Sequence, residues 1–235
     1  MDERGLTWLE HAPKIKLFPV TDARKPYPLS AEEQAILFQE LPDHLARMAL
    51  FKGNSGCREQ EVCGLKWDFE IKVPELDTSV FIIPGDRVKN GEERLVVLSR
   101  VARSVIESVR GIHPEYVFAH ETKGEWKPVG KMNNTAWKAA RERAADRWQE
   151  LKGTPTPEGF RRIGVHDLKH KWGRRLRAAG VSFEDRQDLL GHESGRITTH
   201  NSRAELASLI AAAEKVCGTD PHKSPTITWL RRQNT

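Results

Sequence analysis

His166-Asp167-Leu168-Lys169-His170-Lys171-Trp172-Gly173-Arg174-Arg175-Leu176-Arg177 opens the stretch around which the chain is organised. Leu189-Leu190-Gly191-His192 and Thr198-Thr199-His200-Asn201-Ser202 follow it and close it. The first part reads as a helix beginning at His166 and stopping at Gly180, where a glycine suits a helix C-terminus. Glu184–Leu190 reads as a short helix. Ser202–Cys217 reads as an amphipathic one, with Leu206, Leu209, Ile210 and Ala213 apolar. The central helix carries a dense run of cations, and such a run ordinarily means a solvated face. His166 and His170 stand at i and i+4, a spacing that zinc can use, but a third ligand at suitable spacing is not evident.

Upstream, Ser30-Ala31-Glu32-Glu33 is a helix start, with Ser30 as cap and Glu33 at the capping-box position. That helix is expected to reach Glu40, and a second to run from Pro42 to the Gly53–Gly56 segment. Arg58 opens a short third helix through Leu65. From Glu70 to Leu98 the texture turns to strands. Val80–Ile83 and Leu95–Leu98 are apolar runs, with Asn90-Gly91, a strong hairpin signal, between them. Lys89 is therefore expected at or beside an exposed hairpin tip. Ser99 caps a helix bearing Val101, Val105, Ile106 and Val109 on one face. Tyr116–Ala119 is a further strand candidate, followed by a loop and a helix over roughly residues 133–149. Helices, a small antiparallel sheet, then helices again define an α+β, mostly helical fold.

The chain has 235 residues, enough for one good core, with 38% hydrophobic and 30% charged residues, as in folded soluble proteins. No apolar run approaches a membrane span and the N-terminus has no signal-peptide pattern, so a cytoplasmic location is expected. Cys57, Cys63 and Cys217 form no Cys-x-x-Cys pair, and buried thiols are expected. Net charge is +5, and it is uneven. From Arg161 onward there are 14 Lys/Arg against 8 Asp/Glu, so the last third carries +6 and the first 160 residues sum to −1. A basic carboxyl third fits a polyanionic partner, most simply nucleic acid.

A second motif joins the central stretch: Ser55-Gly56-Cys57-Arg58-Glu59-Gln60-Glu61-Val62-Cys63-Gly64-Leu65-Lys66-Trp67. An arginine on a tight turn, an acid three residues later and Gly-Leu-x-Trp resemble the first-arginine box of the tyrosine recombinases, the phage-integrase family. The His166-x-x-Lys169 unit, the Leu190-Gly191-His192 unit and the Thr-Thr-x-x segment resemble the remaining motifs, in the family's order, over roughly residues 30–217. The resemblance implies a recombinase-like catalytic domain that cuts and rejoins double-stranded DNA site-specifically, through a phosphotyrosyl link, with no metal, ATP or other cofactor. It implies four protomers on DNA. It also implies roles for Arg58, Lys89 (the hairpin lysine), His166, Lys169 and His192.

The residue chemistry is consistent with this. Attack on a phosphodiester builds charge on non-bridging oxygens, which fixed cations can stabilise. Arg58 brings a planar fork that binds two oxygens. Lys169 stands where the family most often has a second arginine and lacks that fork. His166 and His192 can donate hydrogen bonds or move protons near neutral pH. Taken alone, His192 could equally be a packed core histidine, and Arg58 and Glu61, at i and i+3, a surface ion pair. The family's nucleophilic tyrosine position is Asn201, nine residues after His192. An amide cannot form the covalent link, so cleavage is expected to be lost. A non-catalytic DNA-binding or assembly protein is the alternative. Residues 1–29 are expected to be a linker or the remnant of a preceding domain, too short for the family's DNA-clamping domain. Residues 218–235 are expected to be a tail suited to contact with another protomer.

Overall fold

A computed structural model describes residues 24–27, 29–192 and 203–217. The lead-in before residue 24, the segment with Asn201, and the tail beyond 217 lie outside the described residues.

Helix α1 (Ala31–Glu40) starts on the expected box: the Ser30 hydroxyl accepts from the Glu33 N–H, and the Glu33 carboxylate accepts from the Ser30 N–H. Helix α2 (Asp43–Ser55) is almost wholly buried from Leu45 onward and ends at Gly56, which adopts φ +66°. A side chain there would stand 2.7 Å from Trp172 Cδ1, so backbone conformation and packing both require glycine. Helix α3 (Glu59–Cys63) follows at once.

Strands β1 (Glu70–Val73), β2 (Thr78–Ile83) and β3 (Arg94–Val97) form an antiparallel sheet in that order. Val80 pairs with Val97 and Ile83 with Arg94. The expected short hairpin is not formed: β2 ends at Ile83 and β3 begins at Arg94. The connection 84–93 contains a 3-10 turn at Gly85–Arg87 and a turn closed by the Gly91 N–H on Val88 O. A two-residue type I′ turn needs φ > 0 at both central positions. Here only Gly91 has it, at +77°. Lys89 is exposed on this connection.

Helix α4 (Arg100–Val109), capped by Ser99, buries Val101, Ala102, Val105, Ile106 and Val109, each burial contributing about 1–3 kcal/mol. The strand expected at 116–119 lies later, as β4 (Ala119–Thr122), paired with a strand the sequence reading missed, β5 (Glu125–Pro128). Tyr116 makes only an isolated bridge to Lys66. Helices α5 (Thr135–Lys152), α6 (Val165–Ala178), α7 (Phe183–Leu190) and α8 (Arg203–Glu214) complete the domain. No helix of the described residues is long and apolar enough to cross a membrane.

Two apolar clusters hold these elements. The larger gathers α1, α2, α4 and α5 around Leu37, Phe51, Ile106 and Trp137. The smaller joins Val80 and Val97 of the sheet to Trp172, Leu176, Leu189 and Leu209. Helix α6 belongs to both, through Val165 and Leu168 in one and Trp172 and Leu176 in the other. All three cysteines are buried. Leu29 is part of the larger cluster, and the Asp167 carboxylate accepts from Arg24 Nη2 at 2.6 Å and the Tyr27 N–H at 2.9 Å. The described part of the lead-in is thus fastened to the start of α6.

Candidate phosphate pocket

Arg58 owes its position to two buried groups. It sits at the N-cap of α3, just past the left-handed Gly56, and the Lys52 ammonium donates to Cys57 O at 2.5 Å beneath it. Glu61, also buried, then takes three donors. Oε1 accepts from Arg58 Nη1 at 2.8 Å, and Oε2 accepts from the Arg58 N–H at 2.6 Å and from Arg94 Nη1. The surface ion pair allowed by the i, i+3 spacing is therefore a buried bracket. Burial alone would raise the Glu61 carboxyl; the charge of Arg94 and the hydrogen bonds from Arg58 outweigh it and hold the group below the ordinary range.

The end of α7 receives the other cations. Leu189 O accepts from Arg94 Nη2 at 3.4 Å, Leu190 O from Lys169 Nζ at 2.6 Å, and Gly191 O from Arg58 Nη2 at 3.2 Å. Three consecutive carbonyls thus meet cations from β3, α6 and the start of α3. A helix C-terminus, with its unpaired carbonyls and negative dipole end, favours such charges. Gly191 has φ +58°, and a Cβ there would lie 2.7 Å from Arg94 Cζ. The next residue, His192, donates its N–H to Gln187 O at 3.0 Å, and its Nδ1 lies 2.7 Å from Gln187 Oε1.

Above this turn opens a cavity of about 440 Å³. Arg58, Lys169, Arg174, Arg177 and Arg186 line it together with His166, His170 and His192, and among the described residues no carboxylate lines it. The His166 and His170 rings meet edge to face, 4.6 Å apart. Exposed Phe183 stands at its edge under the Arg186 guanidinium. Burial first, then Arg94 and Arg58, push the Lys169 ammonium down to about 7. Burial likewise lowers His166, with His170 and Lys52 adding to it, and lowers His192, with Lys169 and Arg58 adding to it. Burial and the neighbouring cations together favour the neutral forms of the groups that can release a proton. An oxyanion entering it would oppose those shifts.

Of the residues singled out in the sequence, Arg58, His166, Lys169 and His192 come together in this cavity. Lys89 is not among its lining residues, and Asn201 lies outside the described residues. The cation run on α6 is not uniformly solvated. Lys169 is only 5% exposed, and Arg175 donates to Gly53 O, Asn54 Oδ1 and Val216 O, tying the segment just after α8 to α2. Sequence reading missed Arg94, Lys52 and Arg186. Lys52 could have been found from its place directly after the apolar run Met48–Phe51. Arg94, after Glu92-Glu93, reads as one more loop charge.

A mostly helical domain with a small antiparallel sheet and a cationic pocket is the class that the fold and the site define. The model described as the phage integrase family matches residues 29–205, and the chain belongs to that family. It is 28% identical over 202 residues to the integrase of Salmonella phage P22, an alignment covering 82% of this chain and 47% of that protein. The chain therefore spans about half the length of this relative. Among solved structures it is similar to the XerH site-specific recombinase bound to palindromic difH substrate (TM-score 0.46, 18% identity, 83% of this chain and 55% of that one). It is also similar to the Tn1549 transposon integrase in complex with circular intermediate DNA (TM-score 0.47, 14% identity, 91% and 66%).

Proposed function

We propose that this chain is the catalytic-domain portion of a phage-type tyrosine recombinase, folded over residues 30–217, that grips double-stranded DNA but does not cleave it covalently as it stands. A backbone phosphate would sit in the cavity, with the Arg58 fork on its non-bridging oxygens, Lys169 beside it, and His166 and His192 donating hydrogen bonds. Lys89, on its exposed connection, would approach the departing 5′ oxygen once DNA is bound. The observation that carries this reading is the convergence of Arg58, Lys169 and His192 on one helix end, beneath a cavity lined, among the described residues, by five Lys/Arg and no acid. Family membership and the DNA complexes of the similar recombinases support it. Assembly of four protomers, with residues 218–235 against a neighbour, belongs to the same reading.

The carboxamide at Asn201 has no acidic oxygen and a delocalised nitrogen lone pair, so it cannot attack phosphorus as a phenolate does. A chain that occupies sites or completes assemblies of active protomers is the second reading, and Asn201 is what favours it.

The test compares the protein as given with Asn201→Tyr on nicked duplexes carrying a site selected from a random-sequence pool. Denaturing gels report covalent adducts. Binding by both proteins with an adduct only from Asn201→Tyr is the expected result. Adduct from the unaltered protein would overturn the loss of cleavage. Absence of adduct from both, despite binding, would favour the occupancy reading. Absence of salt-dependent binding would overturn the DNA reading altogether.

A further inference from the structure

We propose that Arg94 is a positioning residue of the phosphate pocket: a buried guanidinium that sets Arg58 through Glu61 and sets the Leu189–His192 turn directly. Its functional meaning rests on the DNA-phosphate reading above; its structural part does not.

Arg94 is 1% exposed and does not line the cavity, so it cannot touch DNA itself. It is nonetheless bonded to what shapes the cavity on two sides. One arm donates to Glu61 Oε2, the oxygen that also accepts the Arg58 N–H, while Glu61 Oε1 holds the Arg58 fork. The other arm reaches Leu189 O at 3.4 Å and Ser55 O at 3.5 Å, joining the end of α7 to the end of α2. Gly191 packs directly on the guanidinium. Arg94 itself is fixed by β3, where it pairs with Ile83 in the sheet. The strand thus transmits a fixed position to two segments, 55–61 and 189–192, that are far apart in sequence and supply Arg58 and His192.

A lysine here would keep the charge but lose the second arm. It could neutralise Glu61 or hold the turn, not both. An arginine that only filled the core would give a different pattern: Arg94 variants would loosen the whole domain evenly. A positioning role loosens the turn and silences Arg58 in particular.

Two measurements separate these. In the DNA-free protein, hydrogen exchange is read at the Gly191 and His192 amides, which now donate to Asp188 O and Gln187 O, and at Val105 and Ile106 in α4. Arg94→Gln is expected to speed exchange at the turn about tenfold or more beyond the global loss of stability that α4 reports, the scale of one lost charged hydrogen bond. Equal acceleration at both places, or none at the turn, would overturn the proposal whether or not the protein binds DNA. The second measurement is a double-mutant cycle on a fluorescein-labelled random-sequence duplex. Arg58→Ala and Arg94→Gln are each expected to weaken binding about tenfold and to reduce the salt slope by about one, with the double variant within twofold of either. Multiplicative losses would overturn the coupling. If Arg94→Gln is not recovered folded, Arg94→Lys carries both measurements with a smaller loss in the same pattern. If Arg58→Ala leaves DNA affinity unchanged, the DNA reading fails, and the exchange result alone decides whether Arg94 positions the turn.

Discussion

Replacing Glu61 with glutamine is the sharpest perturbation this architecture offers. The carboxylate is enclosed, with side-chain exposures of 1% for Glu61 and 2% for Arg94, so water cannot stand in for either partner. Glutamine keeps the shape but loses the charge, and it presents an NH₂ donor to a site whose three partners are all donors. The result is an uncompensated buried guanidinium. Breaking such a pair from one side costs about 3–5 kcal/mol. For a domain of this size the melting temperature should fall by roughly 6–20 °C, at about 2–4 °C per kcal/mol. Removing both charges, as Glu61→Gln with Arg94→Met, should cost much less than the single losses combined. Because the folded carboxyl is held below its ordinary value of 4.5, its contribution is complete above that pH and is lost as pH falls through the folded value. The gap between wild type and Glu61→Gln in urea unfolding should therefore be full at pH 7 and narrow below about pH 4. A loss under about 1 kcal/mol at pH 7, the scale of an exposed pair, would refute the bracket.

Lys169→Arg should flatten the pH dependence of DNA binding. The ammonium is pushed down to about 7, and phosphate binds its protonated form, so wild-type affinity should decline from pH 7 to 9. Arginine stays charged throughout, so fluorescence anisotropy across that range should show the slope only in wild type. Gly191→Ala should lower stability by about 1–3 kcal/mol in thermal melts, because φ +58° strains a Cβ that also meets Arg94 at 2.7 Å. Asp167→Ala should release the lead-in, since its carboxylate accepts from Arg24, Tyr27 and the Gly164 N–H. Limited proteolysis should then cut near residues 24–27, at a stability cost of about 1–3 kcal/mol, and unchanged protection would contradict this anchoring.

Where a local rule decided an element, the sequence was readable. The Ser30–Glu33 box, the Ser99 cap and the apolar faces of α4 and α8 depend on neighbours three or four positions apart. Hairpins were harder. Asn90-Gly91 carried the stronger signal, yet the two-residue hairpin forms at Lys123-Gly124, where φ is +53° and +80° and Thr122 pairs with Glu125. Strand β5 is exposed at every position, so it has no alternation to read. The pocket was legible in four of its members because their motif order could be compared with a family, whereas its support was not. Arg94 and Lys52 take their meaning from carbonyls and a carboxylate brought near only by folding.

Lysine at position 169 makes the charge of this pocket depend on what occupies it. Arg58, Arg94 and Lys169 all bond to the same helix turn, and burial first, then the two neighbouring guanidinium groups, disfavour charge on whichever group can lose a proton. Guanidinium groups do not deprotonate in this range, so the burden falls on Lys169 and, more weakly, on His166 and His192. Two arginines at Arg58 and position 169 would hold the same pocket at fixed charge and would present a second fork. On the proposed reading, a phosphate arriving at a lysine would favour its protonated form, which would weaken the grip at alkaline pH and leave orientation mainly to the Arg58 fork. That fork is held by Glu61, and Glu61 by Arg94, so on this reading phosphate geometry would rest on a single buried relay of charges rather than on two independent arginines.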